Sequence, residues 1–208
     1  MPLVYHRRYF VSFTDSAKRM IGKALRPIHA GDDKLLTHCK GICSSGDRMP
    51  RRIEIHSDAF SDDGMIPVRF SGEGENLSPP LRWSGVPSTA KELVLVCEDP
   101  DAPFPKPFLH WIMSGISPSA EGMPEAVSKE PRPAELSGAT QGQNGSKKAG
   151  YTGPIPPKGH GLHHYHFELF ALDQPLAMDD SPTRDELMKG MAGHVVAYGE
   201  VVGVYERQ

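Results

Sequence analysis

Proline and glycine interrupt this chain too often to leave room for long helices: 20 prolines and 21 glycines stand among 208 residues. Proline removes a backbone donor and clashes with the preceding helical turn, and glycine weakens a helix through its entropy. The combined share stays below that of a disordered or collagen-like chain. It suits short strands joined by ordered loops. The apolar pattern between the breaks agrees. Leu93-Val94-Leu95-Val96-Cys97 is a continuous apolar run of strand length, so residues 91–98 are predicted to form a buried central strand. The run stops abruptly at Asp99-Pro100-Asp101-Ala102-Pro103. Arg51 to His56 alternates polar and apolar, as a half-buried strand does, and further strands are predicted over 109–116 and 162–172; the Val- and Tyr-rich tail 194–205 reads as a last strand or as a strand and a helix end. One or two short helices are expected. Ser16 to Pro27 would be capped by Asp15 or Ser16 and stopped by Pro27; Pro182 to Met191 would be capped by Ser181, with Pro182 at the first helical position. Residues 130–150 show no periodicity and read as a long loop. Strands dominate and do not alternate regularly with helices. The predicted fold is therefore mainly β, a two-sheet β-sandwich.

The texture of the chain changes near Met49. Residues 1–50 read as a basic, partly helical N-terminal extension, and 51–208 as one domain with a single core. The extension holds Arg7, Arg8, Lys18, Arg19, Lys23 and Arg26 against Asp15 within its first 30 residues, although the whole chain carries a net charge of -3. That overall balance excludes a general nucleic-acid binder. In the first helix Met20, Ile21, Leu25 and Ile28 fall near one face. A basic amphipathic helix can lie on a membrane. So few apolar residues point instead to packing on its own domain or on a partner subunit. No stretch approaches the roughly 18 apolar residues of a membrane span, and no secretory apolar stretch follows the N-terminal basic residues, so a cytoplasmic location is expected. Cys39, Cys43 and Cys97 make no disulfide framework. Cys97, inside an apolar strand, is expected to be inert.

The residues that could carry chemistry gather at strand ends. In a strand over 162–172 alternate side chains share a face. One face carries His163, Tyr165, Phe167, Leu169 and Ala171, so His163 and Tyr165 stand at the mouth of an apolar surface, as polar groups do in many small-ligand sites. The other face carries His164, His166, Glu168 and Phe170. Its polar members suit solvent, and histidines two apart in a strand do not by themselves make a metal site. Tyr151 to Gly161 is a rigid Pro- and Gly-rich segment, able to form either a preformed rim or a wide turn. Asp99, fixed by Pro100 at the end of the central strand, could orient a histidine; Asp101 could close an Asx-turn. His110 returns toward that turn, and a neighbouring carboxylate sets a histidine's tautomer and charge.

Taken together, Asn76-Leu77-Ser78-Pro79-Pro80-Leu81-Arg82-Trp83, Asp99-Pro100-Asp101-Ala102-Pro103, His110-Trp111 and the segment from Gly153 to Tyr165 resemble the phosphatidylethanolamine-binding family, in particular its bacterial Raf-kinase-inhibitor-like branch. The resemblance covers about residues 51–207 and leaves the first 50 outside. It implies a β-sandwich of two sheets and a pocket for anions such as phosphate, acetate or a phospholipid head group. By resemblance, Asp99 and Asp101 line or brace that pocket, His110 and His163 are its two histidines, and Tyr165 belongs to its His-x-Tyr element. Pro103, Pro156 and Pro157 shape its rim. Two departures stand out. His164 replaces an arginine common in eukaryotic members, and the C-terminal helix that covers the pocket in mammalian members is not evident.

The reading that follows is a small-anion or phosphorylated-ligand binding protein without catalytic residues, metal or cofactor. A homodimer and an inhibitory or regulatory role are further expectations. One alternative is a hydrolase using Asp and His as acid and base, but the chain has no G-x-S-x-G, H-E-x-x-H or Walker A pattern and no obvious nucleophile. Another is an inhibitor of a kinase or protease that docks a protein partner at the pocket.

Overall fold

A computed structural model of the chain describes residues 14–38, 51–176 and 182–208; Cys39, Cys43 and Ser181 lie outside them. The strands are β1 (Arg51–Arg52), β2 (Glu54–His56), β3 (Gly64–Met65), β4 (Leu81–Ser84), β5 (Glu92–Asp99), β6 (Phe108–Ile116), β7 (Gly122–Met123), β8 (Thr140–Gln141), β9 (Leu162–Leu172) and β10 (Val195–Glu206). The α-helices are α1 (Asp15–Leu25) and α2 (Arg184–Met191). The architecture is the expected mainly β, two-sheet fold. The larger sheet runs β1-β10-β9-β5-β6-β8, with β3 also on β10, and the smaller one runs β2-β4-β7. The long strands β10, β9, β5 and β6 pair antiparallel. None of the described helices is long and apolar enough to cross a membrane.

β5 is buried along its whole length because material is stacked on both of its faces. Leu93, Leu95 and Cys97 enter the core between the sheets with Ile55, Leu81 and Trp83 of the smaller sheet and Trp111 and Phe167 of the larger. Val94 and Val96 point the other way, into a second cluster with Leu36, Ile112, Phe170, Leu187 and Met191. The outer face of the larger sheet is thus covered by α2 and by the segment Leu35–His38. Leu35 and Leu36 in that segment are completely buried, and each such leucine contributes roughly 1.5–3 kcal/mol of transfer free energy.

That cover corrects the solvent-facing reading of His164, His166 and Glu168. Only His164 is substantially exposed, at 42% of its side chain. Glu168 is fully buried and accepts the Thr37 N–H at 2.9 Å; its neighbour Glu98, also buried, accepts the Leu36 N–H at 3.1 Å and pairs with Arg184. Burial pushes the Glu98 carboxyl above the usual range against the pull of Arg184, and pushes Glu168 well above it with help from Glu98. His166 Nδ1 donates to Glu200 Oε1 at 2.7 Å; burial works against the histidine's charge, but that carboxylate prevails and its pKa is raised.

Other boundaries shift for local reasons. Residues 51–56 form two strands in different sheets: Arg51 and Arg52 pair with Ala197 and Tyr198, whereas Glu54 to His56 pair with Ser84 to Arg82. The chain crosses between sheets at the buried Ile53, and a two-residue period does not reveal which sheet accepts the backbone bonds. The cap of α1 is Thr14, not Asp15 or Ser16: its hydroxyl accepts from Ala17 N. The cap of α2 is Thr183, which forms a capping box with Glu186, so Pro182 precedes the helix instead of starting it. The 130–150 loop contains β8, which pairs with Met113 and Ser114 of β6. The tail is a single strand ending at Glu206.

Candidate functional site

Three adjacent strands bring Asp99, His110 and His163 to one end of the larger sheet. β5 lies between β6 and β9, so its last residue, Asp99, stands beside the starts of both neighbours. On β9, His163 and Tyr165 share the face predicted for them and join the aromatic contacts of the site. His110 reaches the same place by a different device. Cys97 pairs with Trp111 and Glu98 with Leu109, which leaves His110 as the extra residue of a β-bulge. Leu109 and Ile112 face the outer cluster while Trp111 and Met113 face the inner core. The bulge turns His110 inward with Trp111, where its ring meets the Tyr165 ring edge-on at 4.9 Å. Phe108 also packs against His110, with ring centroids 4.9 Å apart, and is itself stacked on Phe104.

The polar groups form an ordered chain. One oxygen of Asp99, Oδ1, accepts the backbone N–H groups of Asp101 at 2.9 Å and Ala102 at 3.1 Å. Asp99, and not Asp101, therefore closes the Asx-turn. The other oxygen, Oδ2, lies 2.8 Å from His163 Nδ1 and 4.0 Å from His110 Nε2. A carboxylate only accepts, so His163 Nδ1 carries a proton. His163 Nε2 is 2.7 Å from His160 Nδ1. Asp99, His163 and His160 are thus linked in series. His110 Nδ1 donates to the Thr152 carbonyl at 2.6 Å, which leaves Nε2 to face Asp99. Burial holds the His110 pKa below the ordinary histidine value, with Asp99 opposing. Burial, assisted by Asp99, raises the Tyr165 phenol well above its usual range, so it is a neutral donor.

Nearly all of this is shielded from solvent: Asp99 is 3% exposed, His110 4%, His160 7%, His163 1% and Tyr165 1%. Among the described residues, two buried atoms of the cluster have no hydrogen-bond partner, the Tyr165 hydroxyl and His160 Nε2. A buried polar atom left alone costs about 1–3 kcal/mol, and such atoms gather where a bound group would complete them.

The surrounding loops hold the cluster by backbone contacts. Thr152 N donates to the His110 carbonyl at 3.0 Å and Gly153 N to Asn76 Oδ1 at 2.7 Å. Gly153 has no room for a side chain: a Cβ there would sit 2.2 Å from the Phe70 carbonyl oxygen. Pro156 is buried and Pro157 half-buried, and the Pro157 carbonyl accepts the His160 N–H at 3.0 Å, which fixes the turn that presents His160. Pro103 is half-buried in the loop after β5. Tyr205, opposite His163 on β10, donates to Glu73 at 2.9 Å and accepts from Ser71 at 3.1 Å.

Asp99, His110, His163 and Tyr165 therefore converge as the sequence predicts. Asp101 does not face them. Its Oδ2 accepts from the backbone and lies 2.7 Å from the ring Nδ1 of His164, so it braces the loop on the outward side of β9. His160 is the member that sequence reasoning passed over. Its signal was the His-x-x-His spacing, which brings two rings together when the intervening Gly161 turns the chain (φ 120°). Cys97 is buried below the site, and burial raises its thiol well above the usual range. Among the described residues, no group of three or more His, Cys, Asp or Glu is placed to hold a metal ion.

Residues 56–206 match the family model described as phosphatidylethanolamine-binding protein. A UPF0098 protein of Pyrococcus abyssi is 43% identical over 152 residues, covering 73% of this chain and 84% of its own. Among solved structures, a phosphatidylethanolamine-binding protein homolog from Chlamydia trachomatis is similar at 36% identity with a TM-score of 0.68, over 76% of this chain and 99% of its own. E. coli YbcL, described as a member of the mammalian PEBP family, is similar at 29% identity with a TM-score of 0.70, over 75% of this chain and 99% of its own. The strand-end site lies within the matched residues and α1 outside them, and on these matches the chain belongs to the phosphatidylethanolamine-binding protein family.

Proposed function

We propose that the chain binds a small anion, of phosphate or carboxylate size, at the cluster of Asp99, His110, His160, His163 and Tyr165. The observation that carries this reading is the pair of unpartnered buried atoms, Tyr165 Oη and His160 Nε2, on a cluster already wired to Asp99. Tyr165 supplies a neutral donor. The histidine chain supplies a second one when protonated. With His163 neutral, its Nε2 accepts from His160 Nδ1 and leaves only a lone pair on His160 Nε2. One added proton reverses that link: His163 Nε2 donates to His160 Nδ1, and His160 Nε2 becomes an N–H donor. Charge-assisted donors of this kind favour anions.

The role is binding rather than turnover. The buried Cys97 thiol and Tyr165 phenol are both held in their protonated forms, which makes them poor nucleophiles. Homodimerisation and inhibition of a kinase or protease rest on family likeness alone. Sedimentation velocity tests the first, and pull-down with wild type and His163→Ala tests the second.

Calorimetric titration of phosphate, acetate and phosphoethanolamine into wild type and His163→Ala at pH 6 tests the anion site and ranks its ligands. Binding by the wild type that the variant loses is the expected result. Absence of binding to either protein sinks the proposal.

A further inference from the structure

α1 is attached to the protein by the wrong side for an ordinary surface helix. Such a helix turns its apolar stripe inward and its charges outward. On α1 the only buried residue is Gly22. It sits so close to the loop after Pro157 that a Cβ would lie 2.1 Å from the Lys158 carbonyl oxygen. The residues around Gly22 on that side are polar: Arg26 Nε donates to the Gly159 carbonyl at 3.1 Å, and Asp15 pairs with Lys158 at 3.6 Å. At 3.6 residues per turn, Ala17, Met20, Ile21 and Ala24 share the opposite side. Met20 is 72% exposed, Ile21 45%, and Ile28, just beyond the helix, 49%. Lys18 and Lys23, both exposed, flank this apolar strip. Ile155 and Leu162, on either side of the loop that receives α1, are exposed too.

We infer that this outward face of α1 docks on an anionic lipid surface. Charge complementarity selects that occupant. Residues 1–26 carry Arg7, Arg8, Lys18, Arg19, Lys23 and Arg26, and their one acid, Asp15, is already paired with Lys158, whereas the whole chain is net negative. Residues 1–13 contain no acid and add Tyr5, Tyr9, Phe10 and Phe13 to the composition of this end. A basic helix with a narrow apolar strip lies in the plane of a bilayer, where buried apolar area and attraction to anionic lipids act together. A stable protein interface needs about 800 Å² from each partner, more than a three-turn helix with two large exposed apolar side chains provides. The inference does not depend on what the histidine cluster binds.

Cosedimentation of the full chain with vesicles tests it. Vesicles of phosphatidylglycerol and phosphatidylcholine in a 30:70 ratio are compared with pure phosphatidylcholine, in low salt and in 0.5 M salt. Wild type is expected to bind the anionic vesicles at least tenfold more than the neutral ones and to be released by salt. The double variants Met20→Asp with Ile21→Asp and Lys18→Glu with Lys23→Glu change exposed side chains only. Each should lower binding at least tenfold with an unaltered melting temperature, while His163→Ala binds like wild type. Failure of the wild type to bind, or binding indifferent to both double variants, overturns the inference. So does binding that needs His163 and not Met20 and Ile21, which would belong to the anion site. A Met20→Asp with Ile21→Asp protein that turns from dimer to monomer, with no vesicle binding by wild type, would assign the face to a second copy of the chain and overturn it as well.

Discussion

Tyr165 carries its hydroxyl into a buried place where no described residue receives it, while its ring is held between those of His110 and His163. The ring is structural and the oxygen is spare. Tyr165→Phe should therefore leave the fold intact and raise stability slightly, by up to about 1 kcal/mol, because it removes an uncompensated buried group. The same change should weaken phosphate binding about tenfold, near 1.4 kcal/mol. Urea melts and calorimetry on one preparation read both effects. A variant that loses stability and keeps affinity would place the hydroxyl in the protein's own hydrogen bonding. His110 shows the same economy of placement. Its inward aim comes from one extra residue in β6, and its proton is located by a single carbonyl, that of Thr152.

At the scale of elements, the segment Leu35–His38 is bound to the larger sheet through two buried carboxyls. It gives its backbone N–H groups to Glu98 and Glu168 and buries Leu35 and Leu36 completely. Glu98 has Arg184 as a counter-charge; the second oxygen of Glu168 has no partner among the described residues. Burial raises the Glu168 pKa well above that of an unfolded chain, so the folded protein keeps a proton that the unfolded chain releases. Stability from this group is complete below about pH 4.3 and declines as the pH rises toward the folded value. Glu168→Gln keeps the acceptor for Thr37 and removes the titration. Between pH 4.5 and 7.5 the wild type should lose more stability than this variant, because only the wild type releases a proton on unfolding in that window. Denaturant midpoints at the two pH values measure it; parallel profiles would mean that water reaches Glu168.

For the whole molecule, the cluster joins parts of the chain that are far apart in sequence: the end of β5, the bulge in β6, the turn at His160 and the start of β9. Ligand binding should consequently report on global stability. An anion that binds only the folded state at a hundredfold its Kd adds about 2.7 kcal/mol, or roughly 5–10 °C in melting temperature for a chain of this size. Phosphate should raise the wild-type midpoint by that order and leave His163→Ala unmoved. An equal rise in both would be a general salt effect on the surface.

Local chemistry along the chain was enough to mark out the long strands and the main residues of the site. Leu162–Leu172 and the apolar run of β5 were legible because period and run length depend only on local chemistry. Asp99, His163 and Tyr165 were legible because they end strands or alternate along one. What covers each face depends on residues distant in sequence. The alternation in β9 separated His163 from His164 correctly, but it could not show that Leu36 and Thr37 would arrive from more than a hundred residues away to bury Glu168. The crossing at Ile53 and the bulge at His110 were hidden for the same reason: backbone partners come from other strands and leave no mark on the pattern of side chains. For α1 the sequence showed an amphipathic helix, and the fold set its orientation. A single glycine, Gly22, let its polar side approach the loop at Lys158 and left its apolar side outward.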